Sequence, residues 1–491
     1  MTTLLKSVLF VLLILSISFP TESLGNDIDT QFSRSINFMM SNMIRQDAAP
    51  GSVIAAPSRQ HPDYFYFWVR DGALVMESAM DLYQSGRLTS LQKQKLQKFF
   101  LDHIMFTQTT QQNALKAAGL GEPKFFVDGR VYSGPWGRPQ NDGPALRASS
   151  LIRLLSIAIR ENWPQLEEMK KILYRANSAE ASLIKFDLEY TAKRWHDLNV
   201  DLWEEVYGAH FYTLMTQRKA LALGSQVAQA FGDPFAAKYY LQEFYRVTQE
   251  LNRFWDPSRG YIYATLSGRK NISSKSATLG KSLNKSQLDS AVILAVIHSD
   301  IGEGLFTFTD DRVLSTFQKV VDSFTALYPI NQNNQVAAAI GRYPEDTYDG
   351  YQTNSVGNAW VLITAGAAEY LYRTASQLAL APSIRISQAN ISFYSKTAGL
   401  ENLSVGKVIL RGSDDYNRVL QNLMIQADRY LARVMLHANP DGSLSEQINR
   451  RTGIQQGAPN LSWSHAGLIT AKLARDRALS NAMVKGSRGK K

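Results

Sequence analysis

The chain has 491 residues, of which 45% are hydrophobic and 20% are charged, a composition typical of a folded globular protein rather than a disordered one. The absence of cysteine excludes disulfides, thiol catalysis and cysteine–zinc sites. The net charge is +10, but the basic residues are dispersed and their one dense run is Lys485–Lys491. Nucleic-acid binding, which is driven by a basic patch, is therefore disfavoured.

The N-terminal segment has the pattern of a secretory signal peptide. Lys6 precedes an apolar run from Val8 to Ile17, and small or polar residues follow up to Gly25. This run is shorter than the roughly 20 residues that span a membrane, so residues 1–25 are predicted to be a signal peptide. An uncleaved membrane anchor is the alternative. Five N-x-Ser sequons are candidate glycosylation sites in a chain that enters the secretory pathway: Asn271, Asn284, Asn390, Asn402 and Asn460.

Helical periodicity dominates the rest of the chain. In one segment, Leu420, Leu423, Ala427 and Leu431 recur on the same face of a helix. Similar spacing predicts about a dozen helices, and few segments alternate as strands do. In chain order the predicted helices lie near residues 29–45, 72–84, 91–107, 151–158, 181–197, 214–228, 235–253, 285–298, 311–327, 358–376, 420–434 and 463–477.

The helices are predicted to form one mature domain. This domain would span residues 26–478, and a basic tail, residues 479–491, is expected to be disordered. Because the helices lack a heptad repeat, an all-α fold that packs them into a toroid is favoured over a coiled coil. The connecting loops are long and rich in Gly, Pro, Trp and acidic residues, which suits functional groups carried above a rigid scaffold.

The first of these loops is Asp63–Asp71 (DYFYFWVRD), in which aromatic and charged residues alternate just before a predicted helix. The rings of Tyr64 and Trp68 could stack on the apolar faces of sugars. Arg70 and Asp71 could hydrogen-bond to neighbouring sugar hydroxyls. A buried structural ion pair is the alternative interpretation of the two charged residues.

Two further loops combine tryptophan with polar groups. Gly134–Pro144 (GPWGRPQNDGP) contains Trp136, and Arg342–Trp360 begins with RYPEDTY and ends with GNAW. Sugar binding would explain this combination, whereas core packing is the usual role of buried aromatic residues.

The loop Asp201–Glu205 (DLWEE) supplies the first candidate catalytic carboxylate. This segment is expected to open a helix that runs through Phe211. Two adjacent acids beside Trp203 could raise the pKa of one carboxyl by repulsion and partial desolvation, as a general acid requires. Acids at a helix N-terminus are also favoured by the helix dipole alone, which is the simpler explanation of the spacing.

The second candidate carboxylate is Glu446, in the loop segment Gly442–Gln447 between two predicted helices. A single loop glutamate is most often a solvated surface group. Together with Glu204, however, it could supply the acid and the base of a hydrolysis.

Other catalytic schemes find no support in the sequence. The seven histidines show no metal-ligand spacing, and no P-loop, dinucleotide fingerprint or G-x-S-x-G elbow occurs. No metal and no cofactor are therefore expected. His210 and His465 lie near candidate loops but are interpreted as structural.

Taken together, the loops resemble those of fungal glucoamylases, glycoside hydrolase family 15. The matching stretches occur in the order typical of that family and cover nearly the whole mature chain. The resemblance implies an (α/α)6 barrel and inverting exo-hydrolysis, which releases β-D-glucose from the non-reducing ends of α-1,4-glucans and cleaves α-1,6 links more slowly. The stretches are Asp63–Asp71, Leu120–Phe125 (LGEPKF), Trp136–Arg147 (WGRPQNDGPALR), Asp201–Glu205, Arg342–Tyr348, Leu444–Gln447 (LSEQ) and Leu461–Leu468 (LSWSHAGL).

The resemblance also implies a role for each candidate residue. Glu204 would be the general acid and Glu446 the general base that activates water. Arg70 and Asp71 would clamp the terminal glucose and so make the enzyme exo-acting. The other positions implied in substrate binding are Tyr64, Trp68, Trp136, Trp203, Glu205, Arg342, Trp360 and Trp463.

The chain departs from the family pattern at several positions, which bears on subsite affinity. Gly72 stands where Ser is common, Ala359 replaces a usual proline, and His465 stands where Tyr is common. No starch-binding module is recognised, so the expected partners are soluble starch, maltooligosaccharides and glycogen. We expect a monomer that is secreted or, alternatively, retained in the vacuolar lumen. A trehalase-like (α/α)6 glycosidase and a non-catalytic glucan-binding protein are the alternatives.

Overall fold

The computed structural model describes residues 21–266, 285–302, 304–332 and 335–488. Most of the predicted signal peptide, the sequons Asn271 and Asn284, and the last residues 489–491 of the predicted tail lie outside this part of the chain. Within it, no helix is both long enough and apolar enough to span a lipid bilayer.

In the described part of the chain, twelve helices form two concentric rings, an (α/α)6 toroid. Each inner helix packs against the next, and the last packs against the first, so the inner ring closes. The inner helices are α2 (Val69–Gln84), α4 (Asp142–Arg160), α7 (Phe211–Ala230), α9 (Ala291–Ser299), α11 (Val361–Leu378) and α14 (Ser462–Arg488). The outer helices are α1 (Thr21–Met43), α3 (Ser90–Leu115), α6 (Leu183–Arg194), α8 (Pro234–Leu251), α10 (Asp311–Leu327) and α13 (Asp414–His437).

Each of the twelve predicted helices corresponds to one helix of the toroid, so the predicted fold class is confirmed. Two short helices, α5 (Leu166–Leu173) and α12 (Ile391–Lys396), and the 3-10 segments Asn252–Phe254 and Pro329–Gln332 were not predicted. The predicted basic tail, residues 479–491, begins within the last helix of the toroid. There α14 continues to Arg488 through residues such as Ala, Leu and Met, which favour helix.

The chain alternates between the outer and the inner ring, so all inner helices begin at the same end of the toroid. Among the described residues, four outer helices begin with side-chain caps, whereas Ser182 makes no cap bond before α6. Thr89, Asp233, Asp310 and Ser413 accept backbone N–H groups at the starts of α3, α8, α10 and α13. The inner helices α2, α4, α7 and α11 have no side-chain cap. At the starts of α2, α7 and α11, backbone N–H groups bond instead to carbonyls of neighbouring loops, such as Val361 N–H to the Glu446 carbonyl at 3.2 Å.

Short strands join these loops at the ends of the inner helices. β1 (Phe67–Trp68) pairs with β2 (Lys124–Phe125), and β8 (Ala359–Trp360) pairs with β11 (Gln447–Ile448), which also pairs with β12 (Gln455–Gln456). A third sheet contains β3 (Asn199–Val200), β4 (Tyr207–His210) and β7 (Thr265–Leu266). Among the described residues, two further antiparallel pairs lie elsewhere: β5 (Trp255–Asp256) with β6 (Tyr261–Ile262), and β9 (Ser383–Arg385) with β10 (Val408–Leu410).

The expectation that Asp201–Glu205 opens a helix was wrong. α7 begins only at Phe211, because Tyr207–His210 is a strand that pairs with β3 on one side and β7 on the other. The acidic pair therefore lies in the turn of a hairpin. A stabilising helix dipole cannot explain its position.

Candidate active site

The site lies at the end of the toroid where the inner helices begin. The loops before α2, α4, α7, α9, α11 and α14 all reach this end. The candidate residues Trp68, Trp360 and Trp463 immediately precede or begin three of these helices. The alternating rings therefore bring together motifs that are hundreds of residues apart in sequence.

Glu204 lies in the tight turn between β3 and β4. The Oδ1 atom of Asp201 accepts the backbone N–H groups of Glu205 and Val206 at 2.7 and 2.8 Å. Within this turn Glu204 has a left-handed backbone conformation with φ of 65°, which is uncommon for residues other than glycine. The turn thus sets the direction of the Glu204 side chain.

The two carboxylate oxygens of Glu204 have different surroundings. Oε1 accepts hydrogen bonds from Trp68 Nε1 and from Gln140 Nε2, both at 3.0 Å, and lies 3.6 Å from an Arg70 guanidinium nitrogen. Oε2 has no hydrogen-bond donor among the described residues, and the side chain is 21% exposed. A proton on this carboxyl would therefore reside on Oε2, because Oε1 is already an acceptor twice.

Glu446 is buried, with 1% of its surface exposed. Its Oε1 accepts from the Tyr64 hydroxyl at 2.9 Å and its Oε2 from the Tyr348 hydroxyl at 3.3 Å. Burial raises the pKa of Glu446 to about 7, while the hydroxyl of Tyr64, the charge of Arg342 and the hydroxyl of Tyr348 all favour the ionised form. A side chain at Gly457 would place its Cβ 2.5 Å from Glu446 Oε2, so only glycine fits there.

The two carboxylates flank one aromatic pair. Trp68 donates to Glu204, Tyr64 donates to Glu446, and the centroids of these two rings are 5.7 Å apart. Trp136 extends the pair on the far side of Trp68, with ring centroids 5.8 Å apart. The predicted acid, base and aromatic residues therefore share one site.

The predicted clamp residues have separate partners. Arg70 is buried and pairs with Asp142 at 2.6 Å, and it also donates to Gln140 at 3.0 Å. The neighbouring Asp71 is partly exposed and has no ion-pair partner among the described residues. Burial raises the pKa of Asp71 to about 7, opposed by the charge of Arg70 and reinforced by that of Glu204. The sequence analysis did not identify Asp142 or Gln140.

Glu205 faces a different group of residues from Glu204. It accepts from Arg342 at 2.8 Å, from Lys285 at 2.9 Å and from the Tyr343 hydroxyl. Burial raises the pKa of Glu205, but the charges of Arg342 and Lys285 outweigh this effect and hold the pKa below its usual range. Glu205 is therefore kept ionised, which makes it a poor proton donor.

Arg342 connects Glu205 to a group of four aromatic rings. Its guanidinium bonds both oxygens of Asp346, at 2.6 and 2.8 Å. It also lies 5.2 to 5.5 Å from four ring centroids. These rings belong to Trp203, Tyr343, Tyr348 and Trp360.

Two of the predicted tryptophans, Trp203 and Trp463, have other notable surroundings. Trp203 donates its indole N–H to both oxygens of Asp289 at 3.1 Å, a contact that the sequence analysis missed. Trp463, at the start of α14, lines a cavity of about 260 Å³ inside the inner ring, and its ring lies 6.0 Å from that of His298.

Lys124 was also missed, although its motif was noted. Its ammonium lies 3.6 to 4.5 Å from the centroids of four aromatic rings. Burial lowers the pKa of Lys124 to about 8, and the charge of Glu204 opposes this shift. A lysine at the start of a two-residue strand carries no local signal for such an enclosure. The rings are those of Tyr66, Trp68, Tyr132 and Trp136.

Two departures from the family pattern have structural reasons. A Cβ at residue 72 would lie 2.3 Å from the Phe67 ring, so Gly72 is required by this packing. His465 is buried, stacks on Phe38 at 5.0 Å and contacts Ser35 and Asn460 through its two ring nitrogens. It is structural, as predicted. Among the described residues, no group of three or more acids and histidines is placed to hold a metal ion.

Comparison with known proteins identifies relatives across nearly the whole chain. The profile described as Glycosyl hydrolases family 15 matches residues 34–473. Glucoamylase 1 of Rhizopus oryzae is 37% identical over 93% of this chain and 72% of its own length. The intracellular, sporulation-specific glucoamylase of Saccharomyces cerevisiae is 31% identical over 88% of this chain and 80% of its own. The solved structure of a Saccharomycopsis fibuligera glucoamylase superimposes with a TM-score of 0.81 at 31% identity, covering 93% of this chain and 96% of that one.

Proposed function

This chain belongs to glycosyl hydrolases family 15 and is a glucan 1,4-α-glucosidase, and we propose that it acts by inverting exo-hydrolysis. It removes terminal α-1,4-linked glucose, and more slowly α-1,6-linked glucose, from the non-reducing ends of soluble starch, dextrins, maltooligosaccharides or glycogen, and releases β-D-glucose. Glu204 is the general acid and Glu446 is the general base.

The observation that carries this proposal is the contrast between the two carboxylates. Glu204 is partly exposed, and its Oε2 accepts no hydrogen bond from the residues that the structure describes, so this oxygen can carry a proton toward a ligand. Glu446 is buried and accepts two phenol hydrogen bonds that favour its ionised form. One group is thus suited to donate a proton and the other to accept one.

The reaction follows from these roles. Glu204 gives its proton to the glycosidic oxygen as the bond from that oxygen to the anomeric carbon breaks. Glu446 takes a proton from a water molecule, whose oxygen bonds to the anomeric carbon from the opposite face. The leaving chain departs as an alcohol, and the α-linkage becomes a β-hydroxyl. Glu446 then returns its proton to solvent, and Glu204 is reprotonated.

Substrate binding is assigned to the surrounding residues. The partly exposed Asp71 lies beside Arg70, which Asp142 and Gln140 hold rigidly. Asp71 and Arg70 are proposed to clamp the terminal glucose. The ionised Glu205 and Arg342 would bind hydroxyls of the next units. The aromatic residues proposed to contact sugar are Tyr64, Trp68, Trp136, Trp203, Trp360 and Trp463.

Proton NMR of the products tests the proposal. Purified protein incubated with maltotetraose should release β-glucose first, with maltotriose as the other initial product. Initial α-glucose would contradict inversion, and maltose as the first product would contradict exo-release of single units. Binding without hydrolysis would favour the non-catalytic alternative, and cleavage of trehalose in preference to maltose would favour the trehalase-like one.

Replacement of Tyr64 by phenylalanine is expected to shift the acidic limb of the kcat/KM profile to higher pH, by up to about one unit. The Tyr64 hydroxyl donates to Glu446 Oε1 and favours the ionised form, so its removal raises the pKa of Glu446. The base must be ionised, and activity is therefore lost at a higher pH than in the wild type. Tyr348→Phe removes a longer bond, 3.3 Å against 2.9 Å, and should shift the limb less. If the acidic limb of the kcat/KM profile did not move in either variant, the two hydroxyls would not stabilise the ionised form of Glu446.

We also propose that the chain enters the secretory pathway through residues 1–25 and acts as a monomer through a catalytic domain at residues 26–478. Of the sequons within the described residues, Asn402 is exposed and Asn460 half-buried. Asn390 is 1% exposed, and its amide nitrogen donates to Asp311 at 2.7 Å and to the Arg385 carbonyl at 2.9 Å.

Glycosylation is therefore expected at Asn402 and not at Asn390, because a glycan on Asn390 would replace one of the two bonded N–H groups and attach a sugar to a side chain that is 1% exposed. Mass spectrometry of glycopeptides from the protein expressed in a fungal host measures the occupancy of each site. A glycan on Asn390 of the folded, active enzyme would contradict the expectation. Asn402→Gln should remove the corresponding glycan and leave activity unchanged.

A further inference from the structure

Lys285 lies on a loop that joins the site from the side of α9. Its ammonium donates to Glu205 Oε2 at 2.9 Å and lies 3.6 Å from the centroid of the Tyr343 ring. The side chain is 20% exposed, so it borders the open part of the site. None of the roles assigned above uses this residue for binding or chemistry.

The carboxylate of Glu205 is held by three donors from two loops. Arg342 bonds Oε1, whereas Lys285 and the Tyr343 hydroxyl bond Oε2. Arg342 is itself fixed by Asp346. Lys285 is thus the donor from the loop before α9, while the other two precede α11.

We infer that Lys285 is a positioning residue for substrate binding, which fixes the orientation and the charge of Glu205 so that this carboxylate can accept sugar hydroxyls. This inference rests on the proposed function, in which Glu205 binds glucose units next to the cleaved bond. Tyr343 adds to the effect of Lys285, because its ring lies against the ammonium and its hydroxyl shares the same carboxylate oxygen.

The charge of Lys285 also affects how the KM for the substrate depends on pH. The charged groups that face Glu205 are Arg342 and Lys285, with Tyr343 as the neighbouring titratable group and Asp346 behind Arg342. Both cations favour the ionised carboxylate. Without Lys285 the pKa of Glu205 rises, so the carboxylate is protonated, and loses acceptor capacity, at a higher pH than in the wild type.

The experiment measures kcat and KM for maltotetraose between pH 4 and pH 6 in Lys285→Met, Lys285→Arg and the matched control Lys396→Met. Lys396 forms a surface ion pair with Asp322 at 2.7 Å, away from the site. We expect Lys285→Met to raise KM about three- to tenfold with kcat within about twofold, and the increase to be larger at pH 4 than at pH 6. Lys285→Arg should restore KM, and Lys396→Met should leave both constants unchanged.

An unchanged KM in Lys285→Met, or a pH-independent loss of kcat, would overturn the inference. A purely structural role would lower the thermal midpoint and reduce kcat without a pH-dependent KM. Failure of the inference about Lys285 is distinguishable from failure of the proposed function. If the wild type neither binds nor hydrolyses maltotetraose, the function is wrong. If the wild type hydrolyses it and Lys285→Met has the same KM, only the role of Lys285 is wrong.

Discussion

Replacement of Glu204 by glutamine is expected to lower kcat for maltotetraose by about three orders of magnitude and to change KM little. The amide oxygen of glutamine can accept the N–H groups of Trp68 and Gln140, as Oε1 of Glu204 does. The geometry of the turn is thereby kept. The amide nitrogen replaces Oε2, and its N–H protons are too weakly acidic to be transferred to the glycosidic oxygen. The variant should therefore bind substrate normally and fail in the chemical step.

Glu205→Gln is the matched control, because it makes the same change one residue later in the same turn. Glu205 is bonded to Arg342 and Lys285 and is kept ionised. Loss of its charge should act mainly on KM, with kcat reduced far less than in Glu204→Gln. If Glu205→Gln abolished kcat and Glu204→Gln did not, the assignment of the acid would have to be reversed.

A change of leaving group provides a second test of whether Glu204 is the proton donor. 4-Nitrophenolate departs without protonation, whereas a sugar alkoxide does not. Glu204→Gln should therefore cleave a 4-nitrophenyl α-glucoside at a much larger fraction of the wild-type rate than it cleaves maltotetraose. A similar loss of kcat on both substrates would contradict the role of Glu204 as proton donor.

The toroid could be predicted from the sequence because outer helices such as α10 and α13 bury one face and show apolar residues at helical spacing. Inner helices such as α9 and α11 are buried on nearly all sides, so their sequences show continuous apolar runs rather than a period of 3.6 residues. The helices α5 and α12 were missed since they have only 8 and 6 residues, too few for a repeat to emerge. The strands have two to four residues each, and alternation cannot be recognised over so short a length. This is why the turn that holds Glu204 was mistaken for the start of a helix.

The candidate site was predictable where a motif is local and not where it depends on tertiary contacts. Glu204, Glu446 and the aromatic residues lie in distinctive loops. The ion pair between Arg70 and Asp142 joins residues 72 positions apart, and the adjacent Asp71 was the only acid that sequence could suggest as the partner. Lys124 likewise acquires its aromatic surroundings only when β1 and β2 pair.

The caps of the helices show why the site occupies one end of the toroid. At the other end, four outer helices begin with ordinary Ser, Thr or Asp caps. At the site end, the positions before α2, α7 and α11 are Trp68, His210 and Trp360, none of which caps its helix with its side chain. Two of these positions are proposed substrate contacts. At these two positions, Trp68 and Trp360, a side-chain cap worth about 1 kcal/mol is absent, and a tryptophan that faces the site takes its place.

Replacement of Glu446 by glutamine is expected to lower kcat by about two to four orders of magnitude on both maltotetraose and 4-nitrophenyl α-glucoside. Glutamine fits between Tyr64, Tyr348 and Gly457 because it has nearly the same shape. It cannot take a proton from water, and a better leaving group does not replace that step. Loss of activity on both substrates thus distinguishes the base from the acid. If the aryl glucoside restored activity to Glu446→Gln as it does to Glu204→Gln, Glu446 would not be the base.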